Sequence, residues 1–249
     1  MYTKLRNELI GQIKADYITF LGFLFGKRIN IPFNKNILII APHPDDEIFG
    51  CGNFIYDSIK NNNRVSIVFL SKGEKSTSQI DEDELIDNRR KMAIEANRIL
   101  GCTDLTFLAF PDSKFYLINE ENLEAKKLSN IIDDKKPDYI FYPHILDYSP
   151  DHRRASALIS KIISKNADIK KYYYCVWLWN SLPYKDLKRM SISNIYYYSP
   201  KLNYKKKSHD IYTKTHSSDG VYYSGNCPKL LYRLTKRKRE LFFLINTSN

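Results

Sequence analysis

Ile37–Gly52, ILIIAPHPDDEIFGCG, is the stretch on which the fold turns. A short apolar run ends at Pro42, an imidazole and three consecutive acids follow, and Ile48, Cys51, Phe54, Ile55 and Ile59 then recur at helical spacing. The order reads as a buried strand, a turn loaded with hard ligands, and a helix. His43 and Asp46 lie three residues apart in that turn, close enough to grip one cation. A hydrolytic zinc site uses three protein ligands and leaves one position open for water. His152, at the end of a later strand-to-helix connection, is the candidate third ligand. Two histidines and one carboxylate form a facial set with free coordination positions. Asp45, next to the ligand pair, is placed to act as general base. Negative charge is also favoured there by the following helix N-terminus.

Working outward, strands are expected at Asn36–Ala41, Arg64–Leu70, Leu105–Phe110, Asp138–Pro143, Tyr172–Trp179 and Asn194–Tyr198. Helical periodicity marks Glu47–Lys60, Leu85–Leu100 (closed by Gly101), Leu123–Ile132 and Ala155–Ile163. This alternation predicts an α/β fold: a doubly wound, mostly parallel Rossmann-like sheet with helices on both faces. Ligands of such sheets bind beyond the carboxyl ends of the strands. Three expected strands end on polar loops there, at His43–Glu47, Pro111-Asp112 and Pro143–His152. Residues 1–32 read as an N-terminal helical appendage, with packing on the main domain favoured over a dimer contact or a shallow interfacial anchor, and 33–249 as a single domain.

The 249 residues are 43% apolar and 14% aromatic, enough for a sizeable core. Four cysteines without knuckle or disulfide spacing point to a reducing compartment. No apolar run reaches the ~18 residues of a membrane span, and no signal-peptide pattern opens the chain. The expectation is a cytoplasmic protein. From Ser181 onward 14 Lys and Arg face 4 Asp and Glu, a net of +10 out of +11 for the whole chain. This basic segment, 181–249, suits phosphate, anionic headgroups or nucleic acid. No helix-turn-helix, RNA-recognition or zinc-finger pattern supports specific nucleic-acid binding. Acids where G-x-G-x-x-G is needed disfavour a dinucleotide site.

APHPDDEIFGCG (41–52) resembles the first signature of the PIG-L (LmbE-like) zinc-dependent N-deacetylases, which act on N-acetylglucosamine-type amino sugars. The likeness continues through LSKGE (70–74), Arg89, LG (100–101), FPD (110–112), KPDYIFYP (136–143) and PDHRRA (150–155). It covers roughly residues 36–180. The resemblance implies His43, Asp46 and His152 as metal ligands and Asp45 as general base. It places Arg89 and Asp112 in the sugar pocket, where an arginine suits a phosphate or vicinal diol. THSSD (215–219) resembles a late histidine-serine segment, which brings His216 towards the substrate. The implied cofactor is Zn²⁺, or another divalent ion such as Fe²⁺. Relatives occur in cell-surface polysaccharide, glycolipid and low-molecular-weight thiol pathways.

The chain departs from this family at Ser149, where several relatives carry a histidine that helps as electrophile or acid. His144, at the preceding strand end, is the candidate substitute, with Asp151 and Tyr148 nearby. Met92 stands in place of a usual glutamate, and Asp219 in place of a glutamine. Trp177 or Trp179 can stack on a pyranose if it reaches the rim. The reaction expected is removal of an N-acetyl group from an amino sugar or its conjugate, phosphate-bearing or lipid-linked, with peripheral membrane contact compatible with the charge. The rival is a sugar- or phosphate-binding domain that kept the fold and lost turnover.

Overall fold

The computed structural model describes residues 2–164, 166–178 and 194–245, with side chains from Leu9 onward. Trp179 and residues 181–193 of the basic segment lie outside the described residues. The elements are α1 (Tyr2–Phe25), β1 (Lys27–Arg28), β2 (Asn36–Ala41), α2 (Asp46–Lys60), β3 (Arg64–Phe69), α3 (Glu82–Leu100) and β4 (Asp104–Phe107). A 3-10 turn (Phe115–Leu117), α4 (Leu123–Lys135), β5 (Tyr139–Pro143), α5 (Pro150–Ile162) and β6 (Lys170–Tyr174) follow. Beyond them come β7 (Ile195–Tyr198), α6 (Lys206–Lys214), α7 (Lys229–Thr235) and β8 (Glu240–Leu244).

The strands form one sheet of order β1-β7-β8-β6-β5-β2-β3-β4. Among the described residues all pairings are parallel except those of β8 with β6 and β7, so β8 alone runs against the other described strands. The central strands of such a sheet are buried on both faces. In β2, Ile37, Ile39 and Ala41 enter one core with Phe54, Ile55 and Phe141. Leu38 and Ile40 enter the other, with Leu128, Ile140 and Ile159. The period-2 alternation of side chains places both layers from one apolar run. The fold is therefore α/β, doubly wound and mostly parallel.

Strand order reverses at β2, which pairs with β3 on one side and β5 on the other. This is the switch point where ligands enter such sheets. Three boundaries differ from expectation in ways that matter there. Helix α5 begins at Pro150, because Ser149 caps it and Pro150 occupies its first turn, so His152 sits on the helix instead of the loop. Helix α3 starts at Glu82, capped by Asp81, whose carboxylate accepts from Asp83 N and Glu84 N. Strand β6 stops at Tyr174, leaving Trp177 beyond the sheet edge. Helix α1 lays Ala15 and Ile18 on Ile195, Leu230 and Leu241, and β1 pairs with β7.

Candidate metal centre and active site

The turn after β2 is strained and heavily braced. Asp45 has φ 135°, a conformation that costs on the order of 1–3 kcal/mol for a non-glycine residue and persists only where neighbours enforce it. Glu47 supplies part of that enforcement: its carboxylate accepts from Asp45 N at 3.0 Å, and from Asn97 and Tyr212 at 2.9 and 2.8 Å. Arg89, fully buried on α3, supplies the rest. Its Nη2 donates to Pro44 O at 2.7 Å and lies 3.4 Å from Asp45 Oδ2. Gly73, at φ 75°, makes room for that guanidinium, since a Cβ there would stand 2.5 Å from Arg89 Nε.

On this scaffold Asp46 Oδ2 lies 3.3 Å from His43 Nδ1 and 3.1 Å from His152 Nε2. The two imidazoles, more than a hundred residues apart in sequence, have centroids 5.5 Å apart. Each turns its other nitrogen to a carboxylate. His152 Nδ1 lies 3.2 Å from Asp147 Oδ1, and His43 Nε2 lies 3.4 Å from both Asp112 Oδ1 and Asp151 Oδ2. Such outer carboxylates fix the tautomer and orientation of a metal-bound imidazole. Two of the three are each anchored by two backbone amides: Asp151 accepts from Ser113 N at 2.6 Å and Phe115 N at 3.3 Å, and Asp147 from Ser149 N at 3.1 Å and Trp177 N at 3.0 Å.

The residues fit a divalent cation. One donor atom from each of His43, Asp46 and His152 falls within 4.8 Å of the others; a second grouping joins His43 to Asp112 and Asp151. Neither ring nitrogen of the fully buried His152 has a well-directed hydrogen bond, although carboxylates stand beside both. A buried polar atom left in that state calls for a ligand.

Electrostatics separates the neighbouring acids. Burial drives the Asp45 carboxyl up to about 7; Arg89 opposes the shift and Asp46 adds to it. Burial pushes Asp46 the same way, but His152 and His43 outweigh it and hold that carboxylate well below its ordinary range. Burial disfavours the His152 imidazolium, yet Asp46 and Asp147 overcome this and raise it to about 10. Any cation entering the cluster displaces that proton.

These groups open into a cavity of about 370 Å³, lined among others by Lys75, Ser76, Asp112, Ser113, Trp177 and Asn226. His43, Asp45, Asp46 and Arg89 line it as well. Asp112 reaches it while accepting from Lys75 N at 2.9 Å. Three expected site residues do not line it: His152, fully buried against Asp46, and His144 and His216. His144 Nδ1 accepts from Leu146 N, and its ring packs between Tyr173 and Phe243, so a strand-end position did not put it on the rim. His216 is exposed and spends Nδ1 on Ser217 O within a bridge to Tyr222. Sequence reasoning missed Asp147 altogether and weighed Asp151 only as an acid. A carboxylate five residues before the candidate ligand His152 and another beside it were the available signals. Arg89, expected in the substrate pocket, lines the cavity and also braces the Asp45 turn with its shortest contacts.

An α/β sheet whose switch point carries two imidazoles and a carboxylate defines a class of potential metal-site proteins, and comparison narrows it. The model of the PIG-L family, described as GlcNAc-PI de-N-acetylase, matches residues 38–163, and the chain belongs to this family. It is 30% identical over 144 residues to diacetylchitobiose deacetylase of Thermococcus kodakarensis, covering 55% of this chain and 53% of that protein. It is 29% identical over 158 residues to the Bacillus subtilis protein named Probable N-acetyl-alpha-D-glucosaminyl L-malate deacetylase 2, covering 57% and 67%. The chain thus spans between half and two thirds of the length of these relatives. Among solved structures it resembles the N,N'-diacetylchitobiose deacetylase of Pyrococcus horikoshii, with TM-score 0.54, 21% identity and coverage of 88% and 81%. At that identity the likeness speaks to the fold.

Proposed function

We propose that the chain is a zinc-dependent N-deacetylase acting on an N-acetylglucosamine-type amino sugar or its conjugate. The observation that carries this reading is the meeting of His43, Asp46 and His152 around one point, beside the unligated Asp45 carboxyl. In this reading the three residues hold the cation, with Asp147 and Asp151 orienting the two imidazoles. A bound zinc ion lowers the pKa of water towards ~7 and polarises an amide carbonyl.

The chain's own groups handle the protons. Asp45, next to the ligand pair, takes a proton from the attacking water and returns it to the leaving nitrogen. This removes the need for an imidazolium at position 149, where Ser149 instead caps α5, its Oγ accepting from His152 N at 3.5 Å. Arg89 fixes the Asp45 carboxyl between the steps. Trp177 offers a flat face to a pyranose, and Ser76, Ser113 and Asn226 offer polar partners for sugar hydroxyls. The net of +10 beyond Ser181 supports a conjugate bearing phosphate, free or lipid-linked, as used in cell-surface glycan or glycolipid assembly.

The test is acetate release by the zinc-loaded chain from N-acetylglucosamine and from a nucleotide-linked derivative. Release that a chelator abolishes and zinc restores is expected. Ser149 favours one rival, a binding domain without turnover. If zinc binds, no amide is cleaved, and Ser149→His creates cleavage, that rival replaces the proposal.

A further inference from the structure

Helix α1 is built inside out for a helix on a globular protein. Its packed face is small: Gly11, Ala15 and Gly22 are buried with Ile18, and a Cβ on Gly22 would stand 3.1 Å from Ile195 and Leu241. The large apolar side chains point the other way. Leu9, Ile13, Tyr17, Phe20 and Leu24 follow one another at spacings of three and four, one stripe of a 3.6-residue helix, and each is half or more exposed. Phe23 and Phe25 widen its C-terminal end. Patches of this size on a chain surface mark interaction sites.

Cations frame the stripe. Along one flank three arginines from α7 and the segment after it dock on α1. Arg233 donates to Gln12 at 3.4 Å, Arg237 pairs with Asp16 at 2.7 Å, and the Arg239 guanidinium sits 4.7 Å above the Phe23 ring. Lys14 lies on the opposite flank, and Lys27 and Arg28 project at the helix end, both exposed. Asp16 is the single acid between Leu9 and Phe25, and Arg237 neutralises it. An apolar stripe rimmed by arginine and lysine matches a helix lying in a membrane interface, with side chains among acyl tails and cations at the phosphates. A second copy would bring the same cations to this face, whereas an anionic bilayer brings their complement. Among the described residues no helix is long and apolar enough to cross a membrane, so the contact is with the surface.

We propose that the α1 stripe and its arginine flank dock the protein on an anionic lipid surface, a property separate from the hydrolytic reading and independent of metal. The test is co-sedimentation of the full chain with phosphatidylcholine vesicles, either pure or containing about one third phosphatidylglycerol, at low and high salt. Binding to the anionic vesicles is expected, weakened by salt. Ile13→Asp with Phe20→Asp should weaken it at least ~10-fold, and Arg233→Gln with Arg239→Gln roughly 30-fold at low salt. Circular dichroism and cleavage of a soluble substrate should stay unchanged in both variants. Absence of binding to either vesicle overturns the proposal. So does a concentration-dependent dimer that Ile13→Asp with Phe20→Asp dissociates, which assigns the stripe to a second copy. A lowered melting temperature in that variant without vesicle binding assigns it to the chain's own fold.

Discussion

Two regions of this protein bury histidine, with opposite results. At the switch point His152 is fully enclosed, and carboxylates flank both of its nitrogens and those of His43. On the side of the sheet built from β6 and β8, His144 lies against Tyr173 and Phe243. Around α6, His209 lies against Phe49 and bonds Thr235 at 2.9 Å. Burial lowers His144 to about 4 and His209 to about 3, the latter helped by Lys205 and Lys236. The same burial at His152 is overcome by Asp46 and Asp147, and the group rises to about 10. Burial removes water from both regions; the acids around the ring decide whether its charged or its neutral form is favoured.

The comparison breaks most visibly at His152. His152→Ala should cut acetate release by something like ~10³-fold or more, because the cation that activates water is lost with its ligand. Steady-state rates at saturating zinc check this. Asp45→Asn should keep the metal and reduce turnover by ~10²–10⁴-fold, the usual contribution of a positioned base; unchanged turnover would remove Asp45 from the chemistry. Asp147→Asn should weaken zinc binding by about 10–100-fold, as outer-shell changes do, read by competition with a chromophoric chelator.

Acid and base should pull the two regions apart in stability. His209 has a folded pKa below its unfolded value, so the unfolded chain binds more protons and the contribution is lost as pH falls from about 6.5. The stability gap between wild type and His209→Gln should therefore close on acidification, by up to ~1.4 kcal/mol per pH unit. His152, raised in the metal-free fold, contributes most below its unfolded pKa and loses it as pH rises towards about 10. The gap to His152→Ala should close on the alkaline side. Urea midpoints across pH measure both. The smallest effect belongs to His144. His144→Gln should change turnover by less than about threefold, since the ring meets aromatic neighbours and Leu146 N; a loss near that of Asp45→Asn would restore its expected acid role.

The local parts of this architecture could be read from the chain. The run Ile37–Ala41 and the acids after it define β2 and the start of α2 with an error of a single residue, because both periodicities and the proline break agree there. The early strands were legible for the same reason. What escaped was non-local. Strand β8 (Glu240–Leu244) follows a cationic run and becomes a strand only because β6 and β7 bracket it, while its buried Glu240 is matched by Lys205 at 2.9 Å. Helix α6 escaped too, its polar sequence anchored by the buried Ser208, His209 and Tyr212. At the site, the three donors were legible because their spacing limits what they can do. Asp147 was not, since only the path of the chain from β5 into α5 turns its carboxylate towards His152. His144 misled because being at a strand end does not say which way a ring points.

Calorimetric titration of the metal-free chain with zinc reaches the central claim most directly. One ion per chain should bind with proton release, and the His43→Ala, Asp46→Ala and His152→Ala variants should each lose that binding event. Unchanged stoichiometry and affinity in any one of the three would contradict a single centre shared between the turn after β2 and the first turn of α5.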